Sequence, residues 1–260
     1  MKYAICVEYD GTPYYGWQKL LHAPSVQKEV ERALAKVANH PIDVVCAGRT
    51  DSGVHGIGQV VHFESDAKRN DKAWLLGGNA NLPANIGFRW IRVVDADFHA
   101  RFSALDRRYR YVILNRKMSP SLLHARVAWH RHLLDESMMQ QAAKTLIGEH
   151  DFSSFRASGC QARHAVREIK SINISRNGDY IYIDICANAF LHHMVRNVVG
   201  SLFDVGSGTK SVEWFAELLA IKDRTQAGVT APACGLYFVS VSYPNKYQLP
   251  ENQLLPEFNI

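Results

Sequence analysis

IDVVCAGRTDSGVHGIGQVVHFE, residues 42–64, reads as a strand, a glycine-rich loop and a second strand. The apolar residues at 42–46 and 59–64 predict the strands. Between them, CAGRTDSGVHGIG (46–58) has glycines at 48, 53, 56 and 58. Glycine takes backbone conformations closed to other residues and lets a ligand come close. The loop holds one carboxylate, Asp51, with Arg49 two residues before it and His55 four after. An acid on a tight loop beside an arginine is a candidate reactive group and a poor packing element.

On either side of this stretch the pattern mixes strands with helices. Residues 3–9 read as a strand that ends in the turn Asp10-Gly11-Thr12-Pro13. Ser25 is placed to cap a helix to about Asn39, with Val26, Val30, Ala33, Leu34 and Val37 on one face. Residues 71–81 read as helix and 86–94 as strand. A strand is predicted at 109–115 and a helix at 135–147, stopped by Gly148. Residues 167–175 and 180–187 pair as a hairpin across the Asn177-Gly178 turn. Helices follow at 190–205 and 212–220, then a strand at 236–241 and an irregular tail at 244–260. This is an α+β pattern. The element order before and after about residue 104 is loosely repeated, which predicts two related halves, 1–104 and 105–260.

The chain has 260 residues, 47% hydrophobic and 21% charged, an ordinary balance for a soluble globular protein. Its first apolar run meets Glu8 and Asp10, too soon for a signal peptide. The longest apolar stretch, 189–205, is broken by His192, His193, Arg196, Asn197 and Asp204, so no membrane span is expected. Cysteines at 6, 46, 160, 186 and 234 form no CxxC pair. That argues for reduced thiols in the cytoplasm and against a disulfide framework or a zinc site.

The net charge is +5, but residues 101–131 hold eight basic residues against one acid, Asp106. Phe102, Tyr109, Tyr111 and Trp129 interleave with them. Bases stack on aromatic faces while cations hold phosphates, so the mixture suits nucleic acid. A basic solvated strand face is the competing reading.

Other chemistries find little support. There is no GxxxxGK(S/T), and the loop glycines do not fall as GxGxxG. Asp51, Ser52 and His55 are neighbours, whereas hydrolytic triads draw on distant segments, and no GxSxG occurs. His192 and His193 are adjacent and would point about 100° apart on the predicted helix. No HExxH is present, and no metal site is expected. Arg196 lies in a nearly all-apolar helical stretch, where an unpaired arginine would be costly. Asp51 is one candidate partner; a structural salt bridge or snorkelling to solvent are the others. A nucleophilic carboxylate must be ionised, and a neighbouring cation favours that form.

GRTDSGVHG at 48–56, RRYRYVI at 107–113, NAFLHHMVRNVVGSL at 188–202 and GLYFVSVSYP at 235–244 resemble the TruA-type tRNA pseudouridine synthases. The resemblance runs in order from EYDGTPYYGWQ at 8–18 to Pro244, almost the whole chain. It implies two similar α/β halves forming a continuous antiparallel sheet, with helices packed on it and an active-site cleft between the halves. The first half would carry the catalytic Asp51, the second Tyr109, Arg196 and Leu236. The implied reaction converts uridine to pseudouridine at positions 38, 39 and 40 of the tRNA anticodon stem-loop, with no cofactor or metal. By resemblance, Tyr109 stacks on the target base, Arg196 pairs with Asp51, Leu236 packs at the base pocket and Arg49 helps expel the base. Arg69, the segment Phe98, His99, Ala100, Arg101 and Phe102, and the segment Gly159, Cys160, Gln161, Ala162 and Arg163 would contact tRNA. The family is homodimeric, with one tRNA touching both subunits. The chain departs from it at Ser52, where alanine is frequent. A non-catalytic RNA-binding protein and a phosphoesterase using Asp51 and His55 are the alternatives.

Overall fold

The computed structural model describes residues 1–250 and 254–258. The chain divides into two compact units, Met1–Arg107 with Tyr237–Leu255, and Arg108–Leu236 with Pro256–Ile260.

The first unit is built on strands β1 (Lys2–Tyr9), β2 (Val45–Cys46), β3 (His55–Glu64) and β4 (Ile86–Val94), with helices α1 (Val26–Ala38) and α2 (Asp71–Asn81). β1 is central and antiparallel to both neighbours, Ile5 facing Val61 on β3 and Ile91 on β4. Strand periodicity sends Tyr3, Ile5, Val7 and Tyr9 to one face. There they join Val26, Val30 and Leu34 of α1 and Trp74 of α2 in one core. Burying each such side chain contributes about 1.5–3 kcal/mol. Within this core Tyr3 stacks on Phe63 at 5.2 Å between ring centroids.

β2 is shorter than the predicted 42–46. Ile42 and Val44 do enter the core, but the Val44 N–H donates to the Glu31 carboxylate at 3.3 Å. A side chain from α1 thus takes the place of a partner strand. β3 starts earlier than predicted and absorbs Gly56 and Gly58 from the glycine-rich loop.

The second unit holds β5 (Asp106–Asn115) from Arg108 onward, β6 (Ala128–His130), β7 (Gly148–Asp151), β8 (Val166–Asn177) and β9 (Tyr180–Ala187). Its helices are α3 (Glu136–Ala143), α4 (Met194–Gly206) and α5 (Val212–Ile221). The strand order is β5-β9-β8-β7, with β6 on β5. The β8–β9 hairpin closes between Asn177 and Tyr180 as the Asn-Gly pair predicts. α3 packs on α4, α5 and β8. β6 and β7 have too few residues for periodicity to reveal them. α3 is shorter than predicted, because Lys144–Leu146 tightens into a 3-10 turn.

The last strand, β10 (Leu236–Ser242), falls by sequence in the second half, yet all but Leu236 belong to the first unit. Tyr237 and Phe238 pair with His55 and Gly56 of β3, in parallel. β5 and β6 are also parallel. The fold is therefore α+β with mixed pairing, not antiparallel throughout. β10 reaches β3 only after the chain has traversed the second unit, so no hairpin dictates its direction. After a short 3-10 turn at Asn245–Tyr247, the tail has no regular structure among the described residues. Residues 251–253 and 259–260 of the predicted irregular tail lie outside them. Among the described residues, no helix is long and apolar enough to cross a membrane.

Candidate active site

The Asp51 loop is held by its neighbours. Thr50 is buried, with its hydroxyl 2.8 Å from the Tyr9 hydroxyl. The Thr50 carbonyl accepts from Trp17 N at 3.0 Å. Gln59, fully buried on β3, donates to the Gly48 carbonyl and accepts from the Gly48 N–H. The Ser52 hydroxyl donates to the Tyr14 carbonyl at 3.2 Å. With Thr50 turned inward, Arg49 is exposed and Asp51 half-buried.

Gly16 makes the close approach possible. Its φ is +90°, and a Cβ there would lie 2.7 Å from Thr50 O and 3.1 Å from the Asp51 carbonyl carbon. No other residue fits. Gly56 serves differently from the expected backbone freedom: the Tyr9 ring fills the space its Cβ would take.

His55 is a packing group. It is 2% exposed and stacks on Tyr237 at 4.7 Å between centroids. Its Nδ1 lies 3.0 Å from Asp10 Oδ1 and 3.2 Å from Gly11 N. A ring so enclosed is badly placed to act on an RNA phosphate, which disfavours the phosphoesterase reading.

In the second unit, Tyr109 lies on β5, almost buried, edge-on to Phe190 at 4.9 Å between centroids. Leu236, at the start of β10, is 5% exposed. Arg196 lies in the first turn of α4 and is half-buried, less enclosed than its apolar surroundings in sequence predict. Its Nε donates to the Ala231 carbonyl at 2.8 Å. Gly200 brings α4 against that segment, since a Cβ there would sit 1.8 Å from Val229 O. The predicted helix start at 190 is also corrected. His193 has φ 58°, in the left-handed region, and α4 begins only at Met194. His192 and His193 thus precede the helix, with ring centroids 4.0 Å apart.

The segments assigned to tRNA contact divide by exposure. Phe98 and Ala100 are completely buried, Phe98 against Tyr243 and Tyr247. Only His99, Arg101 and Phe102 remain to meet a ligand there. His99 stacks on the exposed Phe102 at 4.3 Å, and Arg101 lies over the same ring. His99 Nδ1 accepts from Arg101 N and Phe102 N, which fixes the platform. Arg69 donates to the Val37 carbonyl in the last turn of α1, a structural contact. In the other segment Gly159, Gln161 and Arg163 are exposed, and Arg156 binds the Cys160 and Ala162 carbonyls.

Part of the basic run 101–131 is internal. Arg110 forms a two-pronged ion pair with Asp184 at 2.7 and 3.0 Å, and its Nη1 lies 3.4 Å from Glu257. Arg107 donates to the Arg101 carbonyl at 2.6 Å and the Ala47 carbonyl at 3.2 Å. It thereby ties the His99–Phe102 platform to the start of the Asp51 loop. Motif reading passes over this brace and over Gln59. The one sequence signal for Gln59 is a polar residue leading an apolar strand.

A family model described as tRNA pseudouridine synthase matches residues 5–103 and 142–244. A tRNA pseudouridine synthase A of Klebsiella pneumoniae subsp. pneumoniae is 57% identical over 257 residues, covering 99% of this chain and 95% of that protein. One from Shewanella piezotolerans is 55% identical over 258 residues, covering 99% of both. One from Escherichia coli is 55% identical over 257 residues, covering 99% and 95%. A crystal structure of a Cbf5-Nop10-Gar1 complex aligns with TM-score 0.37 and 11% identity, over 90% of this chain and 57% of that one. The sequence matches alone decide the matter: the chain belongs to the tRNA pseudouridine synthases, a family of isomerases.

Proposed function

We propose that the protein converts uridine to pseudouridine in tRNA, at positions 38, 39 and 40 of the anticodon stem-loop. The N1–C1′ bond breaks, the uracil turns, and C5 bonds to C1′. C5 gives up its proton and N1 gains one, so the isomerisation is redox-neutral. Asp51 supplies the carboxylate that acts on the nucleotide, at C6 of the base or at the ribose. Arg49 helps displace the base, which costs a few kcal/mol of stacking. Tyr109 stacks on the uracil, Leu236 packs against it, and Arg196 pairs with Asp51. The exposed parts of 98–102 and 159–163, and Arg69, contact the tRNA. The enzyme works in the cytoplasm as a homodimer, one tRNA touching both subunits.

The observation that carries this reading is the locked Thr50. It turns inward between an exposed Arg49 and a half-buried Asp51, on a loop whose backbone is tied down through Thr50, Ser52 and Gly48. Preorganised groups of this kind need little rearrangement when substrate arrives. The test is tRNA tritiated at uracil C5. The protein should release tritium to water as C5 exchanges its hydrogen for the ribose bond. Binding without release, from every tRNA with uridine at those positions, would mark a purely RNA-binding protein and overturn the proposal.

A further inference from the structure

A cavity of about 700 Å³ in the second unit is lined by Arg156, Ser158, Cys160, His193, Arg224 and Thr230, among others. Among the described residues, no carboxylate lines it. Arg156 donates to the carbonyls of Cys160 at 2.9 Å and Ala162 at 2.7 Å. Arg224 donates to Asn197 Oδ1 at 3.1 Å, Thr230 Oγ1 at 3.0 Å and the Ala227 carbonyl at 3.3 Å. All these acceptors are neutral, so they orient the guanidiniums without cancelling their charge. Asp223, next to Arg224, accepts from Thr225 N and Oγ1 and is not among the lining residues.

Burial pushes the Cys160 thiol up. Hydrogen bonds from the His192 and Ala162 backbone, with the Arg156 guanidinium, outweigh that and hold it below its ordinary value. Burial lowers Arg167, attraction to Cys160 opposes this, and repulsion from Arg156 adds a smaller lowering.

The cavity adjoins Arg196. His193 lies three residues before Arg196, about one helical turn. Thr230 precedes Ala231, whose carbonyl takes the Arg196 Nε–H. The volume exceeds what one phosphate fills and falls in the range of roughly 300–1,000 Å³ typical of organic ligands. Guanidinium forks match phosphate oxygens in shape and charge.

We propose that this cavity holds a backbone phosphodiester of the RNA substrate, gripped by Arg156 and Arg224, in the strand that carries the target uridine. The inference rests on the tRNA-modifying reading above and assigns the exposed 159–163 loop to the wall of a phosphate subsite.

The experiment measures tRNA affinity between about 50 and 200 mM salt for the wild type, Arg156→Gln and Ser158→Glu. Each lost phosphate contact should make the log–log slope shallower by about 0.7–0.9. Ser158 is exposed. Ser158→Glu therefore sets a negative charge at the cavity mouth without removing the clamp on 160–162, and it keeps the test valid if Arg156→Gln fails to fold. Weaker binding with a shallower slope is expected for both. An unchanged slope in a variant whose thermal melt matches the wild type overturns the proposal. Inorganic phosphate is titrated separately. If it binds, and Ser158→Glu abolishes that binding while the tRNA slope stays at the wild-type value, the cavity is a free-anion site and the RNA assignment falls. Tritium release separates this inference from the reading beneath it. Release by the wild type with unchanged slopes sinks the subsite alone. Shallower slopes without release keep the RNA subsite and sink the catalytic reading.

Discussion

The Asp51 loop and the segment that enters α4 both present proposed site residues, and they are held by different means. In the loop, the contacts fall on neighbours. Thr50, Ser52 and Gly48 are tied by Tyr9, Tyr14 and Gln59. At α4 the arginines are tied by their own donors, Arg196 to the Ala231 carbonyl and nearby Arg224 to Asn197 and Thr230. The residues around Asp51 thus hold the backbone of the loop in place. Arg224, held by neutral oxygens, keeps a positive charge that those contacts do not cancel. Arg110, neutralised by Asp184 and Glu257, shows the opposite, structural use of the same side chain.

The backbone devices differ as well. The first region relies on Gly16 at φ +90°, pressed against Thr50 and Asp51. The second makes its turn with a non-glycine residue, His193, at φ 58°. Left-handed backbone costs a non-glycine residue roughly 1–2 kcal/mol.

The largest expected effect tests whether the chemistry belongs to the first region. Asp51→Asn should lower tritium release by on the order of 10³-fold or more while tRNA binding persists. A variant that stays active would move the reacting group elsewhere. Gly16→Ala should come next. Positive φ and the contact with Thr50 O should destabilise the first unit by about 1–3 kcal/mol and slow turnover with it. Denaturant unfolding and single-turnover kinetics read the two effects, and an unaffected rate would mean that Gly16 does not set the loop.

Acid should separate the two units. His62 is held down to about 4 from 6.5, first by burial and then by His99 and Lys2. The unfolded chain therefore takes up this proton before the folded one does. The associated stability is complete above about pH 6.5 and is lost as pH falls through that value toward 4. Among the described residues, the buried histidines, His55 and His62, both belong to the first unit. In the second unit, the carboxyls of Glu136 (beside Arg176) and Asp151 (bonded to Ser153) are held low and titrate only at more acid pH. Hydrogen exchange at pH 5 should thus loosen the first unit before the second, and His62→Asn should reduce the difference. Equal protection in both units would end this distinction.

The smallest effect concerns the second region. His193→Gly relieves left-handed strain but adds freedom to the unfolded chain, so a net gain of about 0.5 kcal/mol is expected. A clear loss in the thermal melt would show that the His193 side chain stabilises the entry to α4.

The difference between the regions also explains what the sequence revealed. The Asp51 loop was legible because its information is local: an acid and an arginine among glycines, between two apolar runs. The entry to α4 was misread because Phe190 to His193 continue the apolar pattern of the helix, and composition does not announce a left-handed histidine. The basic run at 101–131 looked like one surface. Yet Arg110 finds Asp184 and Arg107 finds carbonyl oxygens, from partners 74 residues away in one case and 60 in the other.

Alone, the sequence determined the α+β class, the main helices and strands, the glycine-rich Asp51 loop and, through its motifs, the family. These depend on periodicity, turn chemistry and residue identity, all written within a few neighbours. Only the tertiary structure decided that β10 pairs in parallel with β3, that Phe98 and Ala100 are core, that His55 is enclosed, and that Arg110 is ion-paired to Asp184. Each of these depends on what distant segments bring to within about 3–4 Å, where hydrogen bonds and packing set the outcome.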